Sequence, residues 1–404
     1  MFGYELNNFK NQKAFIHFDG VINGKFDYGP RICINTKGEK LFELPNRNMI
    51  VNEFEREDVA FVQGENMLYA LMNNKGEFLT DFIYNRICGG SEEGFFEAIR
   101  NGKHGHININ GKEIITCKYD EGYYFSEGIS AECLNGKWGM IDCYNNAVIP
   151  FEYEDIGFCK NNLINAKKNG KYGLINKFNE VIVDFLYDEI NILCTRECLV
   201  YPALKGKKWG LLDRHGNIIE DFIYNDMQVI SYDNDNLGEF IKIQKDTKYA
   251  LYSAIKKTFL TDFIYDYVGC YSENRFYVNI DKKSAYIDTL GEVVLPAIFD
   301  DCDEWFNEGI AKVTKNDLTG AINLSGELII PCQYTALYNC KEGLILAINE
   351  KMQKGYIDRN NMVVVPFGKY ITCEDFHCGL AKVYSREHGF VYIDTNGEVL
   401  EIKV

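Results

Sequence analysis

Lys137-Trp138-Gly139-Met140-Ile141-Asp142, continued by Cys143-Tyr144-Asn145 and Ala147-Val148-Ile149-Pro150, decides the fold because it recurs. Lys208-Trp209-Gly210-Leu211-Leu212-Asp213 repeats it and runs on to Gly216 and Tyr224. With the Asp as anchor, equivalents stand at Asn35, Asn73, Asn108, Asp142, Asn176, Asp213, Ser253, Asp288, Asn323, Asp358 and Asp394. By subtraction the closest pair is 34 residues apart (Asn108 to Asp142) and the widest 40 (Asp213 to Ser253). A fixed period of this size is the mark of a repeat architecture, in which no unit closes a core alone.

Three positions explain why such a unit folds. The anchor is always Asp, Asn or Ser, whose short side chain accepts hydrogen bonds from backbone amides just ahead and closes a turn. Three residues later stands Gly38, Gly76, Gly111, Gly216, Gly291, Gly326 or Gly397, with Asn145, Asn179, Asn361 and Lys256 in the other units. Gly and Asn tolerate positive φ, so this is the left-handed residue of a short hairpin loop with a bulge. The third position follows the aromatic: Gly105, Gly139, Gly173, Gly210, Gly320 or Gly355, or Ala70, Ala250 or Ala285. A glycine within a strand marks close approach by another chain segment, and the neighbouring unit is expected to pack there.

Before each hairpin runs a further apolar segment such as Phe125-Ser-Glu-Gly-Ile-Ser-Ala or Phe306-Asn-Glu-Gly-Ile-Ala-Lys-Val, which alternates like a half-buried strand. Each unit therefore reads as three short strands. The last ends either at Pro150, Pro296, Pro331 or Pro366, or at Asp81, Asp184, Asp221 or Asp262 ahead of Phe-Ile-Tyr or Phe-Leu-Tyr. Both endings suit a sheet edge.

These motifs resemble the bacterial WG-repeat family, whose pattern is F-x-E-G, then G-K-W-G ending in D-x-x-G, then I-P-x-x-Y-D. The resemblance spans nearly the whole chain. It is sharpest around Trp138 and Trp209, with Tyr69, His104, Tyr172, Tyr249 and Phe390 in the Trp position elsewhere and Ser284, Thr319 and Lys354 departing from the aromatic pattern. It implies a β-repeat scaffold and little about activity.

The expected fold is thus all-β: a single tandem array over residues 1–404 of about eleven three-stranded or hairpin units, with degenerate first and last units as caps. Units of this length are shorter than the roughly 40–45 residues of a four-stranded propeller blade, which favours an open superhelical array over a propeller-like closed ring or tandem rings. Composition agrees, with 46% hydrophobic and 14% aromatic residues, 27 of them Tyr and 27 Phe.

No basic, apolar leader opens the sequence and no apolar run reaches the roughly 18 residues of a membrane span, so a cytoplasmic protein without a membrane segment is expected. Fourteen scattered cysteines without a C-x-x-C pair suit reduced thiols. A formal charge of −16 opposes binding to nucleic acid.

The one row that reads as a binding surface is Lys103, Lys137, Lys171, Lys208, Lys248 and Lys283, immediately before the aromatic position in six consecutive units. Stacked, they would form a ladder able to receive an acidic partner. Glutamates such as Glu93, Glu127, Glu308 and Glu342 facing them as exposed pairs would be the plainer use. Cys373 with His377 and Cys378, His104 with His106, and Cys194 with Cys198 lack the matching half of a zinc site. No nucleophile elbow, phosphate loop or dinucleotide fingerprint is present. The irregular connections around 191–207 and 227–248 are places where a repeat array can carry binding specificity. A non-catalytic binding or scaffolding module without a cofactor, with a protein partner, is the expectation. A carbohydrate-binding or hydrolytic protein using exposed aromatics is the alternative, and it loses its main support if Trp138 and Trp209 are buried.

Overall fold

The computed structural model describes residues 3–6, 13–22, 25–35, 39–45, 49–51, 59–90, 93–191, 200–230, 240–296, 298–377, 379–387 and 389–400. Gly38, Cys194, Cys198 and Cys378, and parts of the two irregular connections, lie outside them. Every regular element among the described residues is a β-strand. The strands form eleven antiparallel sheets, nine of four strands and two of three, each built from consecutive strands and none closed into a barrel.

The eleven anchors thus mark eleven sheets, but the unit is richer than three strands. A representative sheet runs Glu121–Gly122, Ile129–Leu134, Lys137–Asp142, Ala147–Tyr153. The added first strand is two residues long, too short to show any alternation. The inner strands are buried on both faces, with Ile129 to Cys133 and Trp138 to Ile141 all in the interior. In this sheet both faces are covered, Ser130 and Glu132 included, whereas Phe95–Arg100, Ile164–Lys168 and Ile310–Lys315 largely keep the expected alternation.

The hairpin loops follow the turn chemistry. Asp142 Oδ1 accepts the amides of Tyr144 at 2.9 Å and Asn146 at 2.8 Å. Asn73, Asn108, Asn176, Asp213, Asp288, Asn323, Asp358 and Asp394 repeat this arrangement. The third residue is left-handed, at 85° in Gly216 and 66° in Asn145. After Ser253 the loop is one residue longer, and the positive φ of 53° falls on Lys257 instead of Lys256.

The strand glycine meets another backbone, as expected, but one in its own sheet and not in a neighbouring unit. A Cβ on Gly139 would lie 2.7 Å from the carbonyl oxygen of Ile149, which belongs to the next strand of the same sheet. The register shifts at this point, with Trp138 opposite Tyr153 but Met140 opposite Ile149, so the glycine admits a bulge and not a neighbouring unit.

Packing between units comes from a chain of apolar clusters, each shared by consecutive sheets. One joins Ile129, Trp138, Met140 and Ile149 to Ile156, Ile164, Ala166 and Ile175 of the following sheet. Aromatic pairs extend it: Tyr119 on Phe151, Tyr153 on Phe185, Tyr187 on Phe222, Tyr224 on Phe263 and Tyr334 on Phe367, with ring centres 5.7–6.2 Å apart. The Asn of the left-handed position has a second task here. Asn145, Asn179 and Asn361 accept the hydroxyls of Tyr119, Tyr153 and Tyr334 from the preceding unit at 2.6–2.7 Å.

The chain divides into two compact parts, Tyr84–Ala297 and the combination of Met1–Ile83 with Ile298–Val404. Tyr153→Phe removes a hydroxyl that satisfies Asn179 and is expected to lower stability by about 1 kcal/mol. Tyr187→Phe, whose following loop carries Gly216 in the Asn position, is expected to stay within about 0.5 kcal/mol of the parent. Urea denaturation of the two variants checks this, and equal losses would refute the role given to Asn179.

Candidate functional site

Each lysine of the predicted row opens an inner strand, as Lys137 does in Lys137–Asp142. Four of the six meet the residue that follows the Tyr of their own unit. Lys103 reaches Asp120 at 2.5 Å, Lys171 reaches Asp188 at 2.5 Å and Lys248 reaches Asp266 at 2.6 Å, while Lys208 donates to Asn225 at 3.3 Å. The same side chains cap the adjoining hairpin: Asp120 accepts the Asn135 amide at 2.6 Å and Asp188 the Gly206 amide at 2.7 Å. The lysine hydrogen bond first, then the amide, holds the Asp120 and Asp188 carboxyls below the usual carboxylate range. Lys137 and Lys283 are exposed and make no ion pair among the described residues. At Lys137 the equivalent carboxylate, Glu154, caps Gly170 at 3.0 Å.

The glutamates that precede Gly94, Gly128, Gly309 and Gly343 do not face the lysine row. Each reaches forward to the same turn of the next unit: Glu93 to the Gly128 amide at 2.7 Å, Glu127 to Asn161 at 2.6 Å, Glu308 to Glu342 at 2.6 Å and Gly343 at 2.9 Å, and Glu342 to Gly379 at 2.7 Å. Arg359 adds a bond to Glu308 at 2.8 Å. Burial pushes the Glu308 carboxyl up, but the two amides and the Arg359 guanidinium outweigh it and hold it at about 2. Their partner is a backbone amide one period away, which carries no residue type that a sequence could display.

A second constellation was not anticipated. His106, on Lys103–Asn108, places Nε2 2.6 Å from Glu132 Oε1 on Ile129–Leu134, and the two side chains are 1% and 0% exposed. Ser130 shares its single hydroxyl proton between the Tyr123 carbonyl at 2.6 Å and that carboxylate at 3.0 Å. Gly122 leaves the space Glu132 occupies. The residue types are those of a Ser–His–acid triad, but the geometry differs from one. Glu132 and Ser130 both approach Nε2, the latter at 3.4 Å, instead of taking opposite ring nitrogens. The group is a sealed polar link between two sheets. A glutamate in the apolar run Ile129-Ser-Ala-Glu-Cys-Leu was the available signal. His104, which with His106 lacks the second half of a zinc site, meets Glu97 at 2.7 Å.

The Trp138 ring lies in the interior at 8% exposure, stacked 5.2 Å from Tyr123, and Trp209 is half-buried against the core around Leu211 and Met227. Trp305 is half-exposed. Burial pushes the Cys88, Cys117 and Cys373 thiols up to about 11 and Cys159 and Cys302 to about 12, which suits small apolar core residues better than nucleophiles or ligands.

Linear four-stranded sheets in series, joined through repeated glutamate, tyrosine and anchor positions, define a tandem β-repeat protein. The model of the WG-containing repeat matches residues 105–138, 138–172, 172–192, 285–318, 320–351 and 355–385, and the chain belongs to the WG-repeat family. No curated protein matches it. Among solved structures it is similar to a eukaryotic initiation factor, at 10% identity over 80% of this chain and 97% of that one with a TM-score of 0.45. It is also similar to the computationally designed Ika8 protein, at 11% identity over 80% and 98% with a TM-score of 0.35. BamB from Moraxella catarrhalis shares 8% identity over 69% and 92%, with a TM-score of 0.32. These likenesses add nothing to the fold described above.

Glu308 is depressed below its ordinary value of 4.5 on folding, so its contribution is complete above that pH and is lost as the pH falls toward 2. Between pH 5 and about 2 the parent is therefore expected to lose more thermal stability than Glu308→Gln; parallel slopes would contradict the staple. His106→Ala leaves the Glu132 carboxyl buried without its partner and is expected to cost about 1–3 kcal/mol or more, with part recovered in His106→Leu/Glu132→Leu, measured by calorimetry.

Proposed function

We propose that this chain is a non-catalytic binding or scaffolding module of a bacterial cytoplasm, with a protein as its partner. The supporting observation is where its reactive side chains go. Glu93, Glu127, Glu308 and Glu342 hold successive units together, three of the row lysines are paired within their own unit, and the His106–Glu132 pair is sealed from solvent. Function then falls to the outer surface, where a repeat array presents loops on a fixed frame. The charge of −16 weighs against nucleic acid and anionic lipid as partners. A carbohydrate-binding or hydrolytic role draws less support, because the Trp138 ring is spent on packing.

The lysine row remains part of the proposal, as a face for an acidic partner through Lys137 and Lys283 and through lysines that exchange one exposed pair for another. Such pairs are worth only about 0–1 kcal/mol each, so exchange is inexpensive. Affinity capture of the tagged protein from its native cells, beside a folded Lys137→Glu/Lys171→Glu/Lys208→Glu variant, tests both parts. A specific protein held by the parent and lost by the variant is the expected result. One held equally by both moves the site off the row, and none held by either removes the binding reading.

A further inference from the structure

The Trp position of the repeat is filled in one sheet and vacant in another. In the sheet that runs from Glu121–Gly122 to Ala147–Tyr153, the Trp138 ring stacks on Tyr123 at 5.2 Å, and Cys133 stands opposite Trp138 on the paired strand. The sheet made of Asp301–Cys302, Ile310–Lys315, Leu318–Asn323 and Leu328–Tyr334 keeps the same register. Asp301 lies opposite Thr314 as Glu121 does opposite Cys133, and Thr314 lies opposite Thr319 as Cys133 does opposite Trp138. The Asp303 amide donates to the Lys312 carbonyl at 2.9 Å, as the Tyr123 amide does to Ala131 at 3.0 Å. Position for position, Asp303, Lys312, Thr314 and Thr319 thus stand where the other sheet has Tyr123, Ala131, Cys133 and Trp138. Residues in register or two apart along a strand share a face, so an apolar corner of that face has become a polar one.

Ser284 and Lys354 also stand in the aromatic's place, and there the gap is closed. Ser284 meets the Tyr277 hydroxyl at 2.8 Å, and Tyr277, which occupies the position of Lys312, is buried. Beside Lys354 stand Leu346 and Ile348 on the paired strand. At Thr319 the gap stays open as a cavity of about 160 Å³, lined by Asp301, Asp303, Lys312, Thr314 and Thr319 and, from the next sheet, by Ala336 and Leu337. A cavity of about 150 Å³ takes a benzene molecule, so the space has the size of the missing ring and holds a ligand of roughly six to eight non-hydrogen atoms.

The polar groups around it leave a place for a cation. The Thr314 and Thr319 hydroxyls have no partner among the described residues. The Lys312 ammonium lies 3.2 Å from Asp303 and donates to Asn339 of the next sheet at 3.0 Å, which ties it to the seam between the sheets. Asp301 accepts the Cys302 amide at 2.9 Å through one oxygen. Burial pushes the Asp303 carboxyl up in spite of Lys312, and Asp301 adds to the rise. The acids along this edge are Asp300, Asp301, Asp303 and Glu304, with Asp300 turned to the Asn316 amide at 2.8 Å, and the cations of the adjoining strand are Lys312 and the exposed Lys315. The lining itself sets two carboxylates against one ammonium, an excess that favours a positive group. A bare metal ion is poorly served with Lys312 among its oxygens. A molecule with an ammonium for the carboxylates and an oxygen for Lys312 and the threonines uses every group.

We infer that this cavity is a binding site for a small primary amine bearing a hydroxyl or carboxylate, its ammonium held by Asp301 and Asp303 and its oxygen end by Lys312, Thr314 and Thr319. The site adds a small-molecule ligand to the protein partner proposed above and does not depend on it.

Saturation-transfer NMR on the full chain, followed by calorimetric titration, tests it with ethanolamine, serinol, L-serine and β-alanine as probes. Glycerol and lactate, which lack the amine, and putrescine, which lacks the oxygen, run beside them. At least one of the four amine probes is expected to bind with a Kd of about 1 mM or tighter. Thr319→Trp supplies the residue that stands at Trp138 and Trp209, and is expected to fill the cavity, keep or raise the melting temperature and abolish binding. Asp303→Asn is expected to weaken binding at least about tenfold with folding retained, and it decides the matter if the Trp variant does not fold. Glycerol or lactate bound as well as the amines would overturn the ammonium assignment. Putrescine bound better than ethanolamine and serinol would overturn the role given to Lys312 and the threonines. Binding that both variants leave unchanged lies elsewhere and removes this site, as does the lack of binding by any probe up to about 10 mM.

Discussion

A single sheet of three or four short strands, cut from about 35 residues of chain, has no interior of its own. Everything else in this protein follows from that constraint. The apolar clusters are shared between consecutive sheets, as where Ile129 and Met140 meet Ile164 and Ile175. Burial at about 25 cal/mol per Å² rewards a unit only once its neighbour is in place. The polar contacts then fix how the neighbour sits: a glutamate to the next turn, a tyrosine ring to the next phenylalanine, a tyrosine hydroxyl to the next loop. None of these is strong alone, and each is geometrically specific.

The same constraint explains how much of the molecule was legible in sequence. Anchors such as Asp142 and left-handed residues such as Gly216 act within a few residues of themselves, so the eleven units and their loops could be read directly. What acts across one period was visible only as a repeated letter. Glu127 and Glu308 looked like surface charge, and Asn145 like a substitute for glycine, until their partners one unit away gave them a second purpose. The two-residue first strands, such as Glu121–Gly122, leave no periodic trace at all. His106 and Glu132 are 26 residues apart on different sheets, a spacing that obeys no motif.

The division between frame and surface follows as well. Positions that serve the joint are chemically narrow, whereas the residue two places after an anchor sits in a loop closed through its backbone, whatever its side chain. Tyr144, Ser325 and Asn360 ride on loops closed in the same way. Such a frame permits the outward chemistry of one part of the chain to change without disturbing its packing, which is the usual basis on which repeat scaffolds acquire new partners.

The forward reach of the glutamates sets a timetable for the chain as it is made. The carboxylate of Glu127 is joined to the amide of Asn161, 34 residues downstream. At roughly 5–20 residues per second of synthesis, each unit waits about 2–7 s for the amide that completes it. Throughout translation the newest sheet is therefore always an incomplete one, with an apolar face uncovered, and that face is closed by the next unit to leave the ribosome.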